Sequence, residues 1–123
     1  MVRVINNLPQ HVAGVHAYAD DVDEQEYENM LDRLFGNFLK RQNKINFLLI
    51  LETEIRNFSP GKWCGNIRLG LKYFFRWNKV VLVTDKKYLR GFSDLFKYIL
   101  PGQFRSFPLD ELDTAIRWVA DAK

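Results

Sequence analysis

Cysteine is nearly missing from this chain. Cys64 is the only one in 123 residues, so no disulfide can close within the chain and bridge-stapled scaffolds are excluded. Histidine is scarce as well. His11 and His16 share no CxxC or HxxxH spacing with any other ligand, and no metal site is expected. No apolar run approaches the ~20 residues that span a bilayer. No signal-peptide stretch opens the sequence, because Met1 leads straight into the alternating "VRVINN". The location expected from these absences is a reducing cytoplasm, with a peripheral place at the inner membrane face. The motifs G-x-S-x-G, GxGxxG and GxxxxGK[ST] are also missing, and with them the signatures of a nucleophile elbow, a dinucleotide cradle and a P-loop. Cys64 falls on an apolar helical side with no histidine close by in sequence, the setting of a buried, inert thiol. No catalytic residue and no cofactor is expected, and the chain does not read as an enzyme.

What is present is apolar, aromatic and unevenly charged. Hydrophobic residues make up 47% and aromatics 15%, with ten phenylalanines. That is enough to bury a core in a single domain over residues 1–123. The net charge of +3 conceals three blocks. Residues 1–55 carry 5 basic and 9 acidic side chains, residues 56–105 carry 11 and 2, and residues 106–123 carry 2 and 4. The middle block, at +9, suits phosphate on nucleic acid or on lipid.

The hydrophobic pattern predicts nine elements. Strands are expected over 2–7 and 12–19, joined by the turn "LPQH". A helix follows, entered through Asp20, Asp21, Asp23, Glu24 and Glu26 and closed by Lys40 and Arg41, the order that a helix dipole favours. Tyr27, Met30, Leu31, Leu34, Phe35, Phe38 and Leu39 share one of its faces. "KINFLLILE" (44–52) and "KVVLVTD" (79–85) are continuous apolar runs, as in strands buried on both faces. Helices are expected over 61–77, started by Ser59-Pro60, and over 86–100, ended by Pro101-Gly102. A short edge strand (103–108) and a last helix, capped by Asp110 and buried along Leu112, Ala115, Ile116 and Val119, complete the chain. The fold class is therefore α/β: a single mixed, mainly parallel sheet of four to five strands with four helices, in the order β-β-α-β-α-β-α-β-α.

The two middle helices share a design. At ~100° per residue, Tyr88, Leu89, Phe92, Leu95, Phe96, Ile99 and Leu100 gather on one side of 86–100. Lys86, Lys87, Arg90 and Lys97 lie on the other. Over 61–77, Trp63, Cys64, Ile67, Leu71, Phe74, Phe75 and Trp77 cluster, with Lys62, Arg68, Lys72 and Arg76 behind. An apolar face is what any helix covering a sheet requires. A face this wide can also wall a pocket or rest in a membrane interface. "SPGKW" (59–63) offers donors at a helix start, where plain capping suffices. "KYFFRWNK" (72–79) interleaves cations and aromatics, but its aromatics fall on the buried stripe, which argues against nucleic acid.

The element order, with "FRWNKVVLVTDKKYLR" (75–90), "FRSF" (104–107), "AIRWV" (115–119) and the opening "LPQHVAGVHA", resembles the SpoIIAA-like family, which joins the STAS and CRAL-TRIO lipid-transfer groups in one fold. The resemblance covers nearly the whole chain and includes an aspartate after the fourth strand, Asp85 here. It implies a mixed sheet of four or five strands with helices on one side. The STAS branch implies a phosphorylated serine in an Asp-Ser-Ser/Thr-Gly turn after the third strand. The matching "TEIRNFSPGKW" is longer and lacks that turn, leaving Ser59 as its nearest hydroxyl. The CRAL-TRIO branch implies a hydrophobic ligand under a movable helix, with membrane contact.

Two functions are expected on these grounds. The first is a non-enzymatic domain that binds a small hydrophobic, lipid-like ligand and associates peripherally with an anionic membrane. Trp63, Phe74, Tyr88, Phe92, Leu95, Phe96 and Ile99 would wall the ligand, Lys86, Lys87, Arg90 and Lys97 would meet lipid phosphates, and Gly91 and Pro101-Gly102 would let the helix swing. The alternative is a STAS-type protein-interaction regulator, of the anti-sigma-factor-antagonist kind, acting through Ser59 and the start of the second helix. A protein partner and a homodimer are left open.

Overall fold

The computed structural model describes residues 2–18, 24–52, 72–84 and 102–121. Five strands form one sheet: β1 (Val2–Val4), β2 (Ala13–Ala17), β3 (Ile45–Leu51), β4 (Trp77–Val83) and β5 (Gln103–Phe107). They lie side by side in sequence order. β1 pairs with β2 antiparallel, and the other three pairings are parallel, with Leu48 beside Val81 and Val81 beside Arg105. Two α-helices, α1 (Glu24–Phe38) and α2 (Leu112–Ala120), accompany the sheet among the described residues. The helices expected over 61–77 and 86–100 fall almost wholly outside the described residues.

β3 is buried at all seven positions, which requires apolar cover on both sides. α1 supplies it on the first face through Tyr27, Leu31, Phe35 and Phe38, packed on Val15, Phe47, Leu49 and Leu82. Phe35 is the centre of that core. Its ring meets Phe47 edge-on at 5.0 Å, Trp77 at 5.4 Å and Tyr73 at 5.8 Å, each contact contributing about 0.5–1.5 kcal/mol beyond simple burial. α2 covers the second face. Ala115 and Val119 are fully buried against Leu48, Ile50, Val81 and Val83, with Leu112 and Ile116 packed around them.

The expectation of helices on one side of the sheet is therefore corrected. α1 and α2 pack on opposite faces, because strands that are apolar at every position leave two surfaces to bury. The buried stripe of α2 is the one the sequence predicts, but its cap is not. Leu109–Glu111 form a 3-10 turn, and no side chain caps α2. Asp110 sits inside that turn, and the residue at the cap position of α2 is Glu111. α1 ends at Phe38, so Lys40 and Arg41 lie in the turn beyond it.

One glycine in the β1–β2 hairpin leaves room for a side chain to cross it. A Cβ on Gly14 would lie 2.4 Å from the Leu8 methyl that crosses it. His11, in the turn, donates from Nε2 to the Ala120 carbonyl at the end of α2. Its own carbonyl accepts from Asn46, whose amide oxygen accepts in turn from Asn78 at 2.8 Å. The buried Asn46 is satisfied in this way.

Candidate functional site

β3 and β4 run parallel, with Ile45 beside Trp77. The segments feeding them, 39–44 and 72–76, therefore meet at the amino end of the strands. Two hydrogen bonds join them. Lys44 Nζ donates to the Phe75 carbonyl at 2.7 Å, and Arg76 donates to the Asn43 carbonyl at 3.2 Å. Phe74–Arg76 form a 3-10 turn, closed by the Arg76 amide on the Tyr73 carbonyl at 2.8 Å. Tyr73 before the turn and Trp77 after it both pack on Phe35. With its flanks pinned inward, the turn presents Phe75 outward, 79% exposed. Lys40, Arg41, Lys44, Lys72 and Arg76 are exposed on the same two segments, and Arg41 lies over the Phe38 ring at 5.6 Å.

A carboxylate from α1 anchors one side of this basic patch. Asp32 Oδ1 accepts from Lys72 Nζ and from the Tyr73 hydroxyl, each at 2.7 Å. The bond to Asp32 holds the Lys72 ammonium above its ordinary pKa. Burial, and then the same carboxylate, hold the Tyr73 phenol above its own.

The carboxyl end of the strands has a different character. His16 on β2 pairs with Glu52, just past β3, at 2.8 Å, and its ring lies 4.9 Å from Tyr18. Arg3 approaches the other residue of that ring pair, 5.9 Å from the Tyr18 centroid. Asp110, Glu111 and Asp113 stand exposed where α2 begins. Among the described residues, charge is thus segregated along the strand direction. Lys40, Arg41, Lys44 and Arg76 gather at one end, and Glu52, Asp110, Glu111 and Asp113 at the other. Asp121, at the end of α2, and Arg3, opposite His16, are exceptions.

Most of the residues expected to form a site lie outside the described residues: Ser59, Trp63, Tyr88, Phe92, Leu95, Phe96 and Ile99, with Lys86, Lys87, Arg90 and Lys97. Cys64, Gly91 and Pro101 lie there too. Phe74 opens the 3-10 turn, and only its backbone is described. Two residues expected on the buried stripe of a helix over 61–77 are corrected. Trp77 is the first residue of β4, and Phe75 is exposed. No helix runs through 74–77, because the chain turns at 74–76 to enter the sheet. Gly102, marked in sequence by the Pro101-Gly102 pair, has a further reason in the packing. Its φ is +111°, and an added Cβ would lie 2.9 Å from the Asn78 carbonyl oxygen.

The model of the family described as SpoIIAA-like matches residues 15–120. The chain belongs to the SpoIIAA-like family. This SpoIIAA-like chain is also similar to the crystal structure of an uncharacterized protein of the DUF3478 family, with a SpoIIAA-like fold, from Shewanella loihica PV-4. The TM-score is 0.69, over 96% of this chain and 93% of that one, at 17% identity, a likeness that speaks for the fold alone. A search of curated proteins finds no match. Among the described residues, no helix of this SpoIIAA-like chain is long and apolar enough to cross a membrane, and no group of three or more His, Cys, Asp or Glu could hold a metal.

Proposed function

We propose that this SpoIIAA-like chain is a non-enzymatic domain that docks reversibly on anionic membrane and takes up a hydrophobic ligand there. The observation that supports the docking is Phe75, 79% exposed on a turn bonded to the loop that carries Lys40, Arg41 and Lys44. A phenyl ring among cations is the composition of a membrane-interface contact. Each cation near anionic lipid contributes ~1 kcal/mol, and burying a phenyl side chain contributes about 1.5–3 kcal/mol. Four cations and one ring give ~6 kcal/mol, a dissociation constant in the tens of micromolar. That strength suits a domain that arrives and leaves. In this reading Lys86, Lys87, Arg90 and Lys97 add a second contact, and Trp63, Phe74, Tyr88, Phe92, Leu95, Phe96 and Ile99 wall the ligand.

Liposome flotation tests the proposal, with phosphatidylserine-containing against phosphatidylcholine vesicles at low and high salt. The expected result is binding to the anionic vesicles only, weakened by salt as screening shortens. Phe75→Ala should lower the bound fraction about tenfold, and lipid extracted from the purified protein should be lost in Phe92→Asp. Binding that ignores lipid charge and Phe75 would overturn the docking.

A second reading, that of a STAS-type interaction regulator, is favoured by the family and the fold. It places the contact at Ser59 and the start of the expected second helix. It gains if Ser59→Ala or Ser59→Asp changes capture of a protein partner while vesicles never bind.

A further inference from the structure

On the second face of the sheet, α2 ends over the amino halves of β4 and β5, and three side chains meet there. Lys79, from β4, brings Nζ to 4.6 Å from the centre of the Trp118 ring and donates to the Trp118 carbonyl at 3.0 Å. Arg105, from β5, brings its guanidinium carbon to 5.6 Å from the same ring. Lys79 lies beside Gln103, and Val81 beside Arg105. The two cations are therefore diagonal neighbours on one face, roughly 8 Å apart at the backbone by strand spacing and rise. Among the described residues neither forms an ion pair, and the guanidinium of Arg105 makes no hydrogen bond. Arg105 and Trp118, with Gly102, Gln103 and Phe104 but not Lys79, line an open hollow of about 500 Å³, within the size range of small-ligand sites.

We propose that Lys79, Arg105 and Trp118 form a binding site for a phosphomonoester group. Two like charges held side by side against an indole, with no acid among the described residues paired to either, match a dianion. The guanidinium fork presents parallel N–H donors to two phosphate oxygens, and the ammonium supplies a point charge. The cation–π contact with Trp118 biases Arg105 toward this position before any ligand arrives, so less side-chain freedom is lost on binding. The Lys79 bond to the Trp118 carbonyl does the same for its neighbour while leaving two ammonium protons for the ligand. The site is independent of membrane docking, since it lies on the α2 face and uses none of the residues around Phe75.

The test is a titration of ¹⁵N-labelled protein with inorganic phosphate and with glycerol 3-phosphate, using chloride at matched ionic strength as the control. The expected result is a saturable shift of the Trp118 indole and of the 103–105 amides. Arg105→Gln and Lys79→Met should each weaken binding roughly tenfold while keeping the dispersion of the spectrum, and Phe75→Ala should leave the titration unchanged. Vesicles containing phosphatidic acid identify the source. Saturation by these vesicles alone assigns a lipid head group, and saturation by glycerol 3-phosphate assigns a soluble phosphate ester. Shifts that chloride reproduces, or that Arg105→Gln leaves as tight as in the unaltered protein, would overturn the site.

Discussion

Asp32 holds two groups with one oxygen, and the consequence appears at alkaline pH. Lys72 and Tyr73 both have pKa values raised in the folded state. Both therefore keep their protons in the native protein after the unfolded chain has released them. Their contribution to stability is fully present below the unfolded values near ~10, and is lost as pH rises through the raised folded values. Urea midpoints measured from pH ~8 to ~11 should fall in the unaltered protein, and fall less in Asp32→Asn, where the shared acceptor charge is gone. Tyr73→Phe keeps the ring on Phe35 and loses the hydroxyl bond, so it should cost about 0.5–1.5 kcal/mol. Gly102→Ala should cost more, about 1–3 kcal/mol. It meets both an unfavourable φ of +111° and a backbone oxygen 2.9 Å away that cannot retreat without shifting β4. Thermal unfolding of the two variants would rank them.

At the scale of elements, what could be read from sequence depended on whether the deciding partner was local. β3 and β4 were legible because an unbroken apolar run has few other uses, and α1 because its stripe of Tyr27, Leu31, Phe35 and Phe38 repeats at helical spacing. Phe75 and Trp77 were misplaced for the same reason. "YFFRW" continues the helical period, and only the need of β4 to start beside Ile45 breaks it. The basic and aromatic alternation of "KYFFRWNK" was visible, but its exposure was not, because that is decided by Phe35, some forty residues earlier. The site around Trp118 was equally hidden, since it needs Lys79, Arg105 and Trp118 from three separate elements. The hold on α2 is likewise long-range. His11 and Lys79 bond the carbonyls of Ala120 and Trp118 near its end. His11→Ala should lower global stability by about 0.5–1.5 kcal/mol. It should also speed hydrogen exchange in the last turn of α2 more than at Leu112–Ala115, which remain held by the core.

At the scale of the whole molecule, the segregation of charge among the described residues points to two separate roles within the proposed membrane contact. Cations at the rim of a contact chiefly set how fast partners meet, and a buried ring chiefly sets how long they stay. Stopped-flow mixing with anionic vesicles should show this division. Lys44→Glu and Arg41→Glu should slow association and flatten its dependence on salt, with little change in release. Phe75→Ala should leave association near its original rate and hasten release about tenfold. The acidic end matters as much as the basic one. In the proposed docking, the described cations at one end, Lys44 and Arg76, are drawn toward a negative surface and the described acids at the other, Glu52 and Asp113, are pushed from it, which favours approach by the basic end. An encounter of that kind would begin with Phe75 toward the lipid, and the rotational search that precedes a productive contact would be shortened by the field itself.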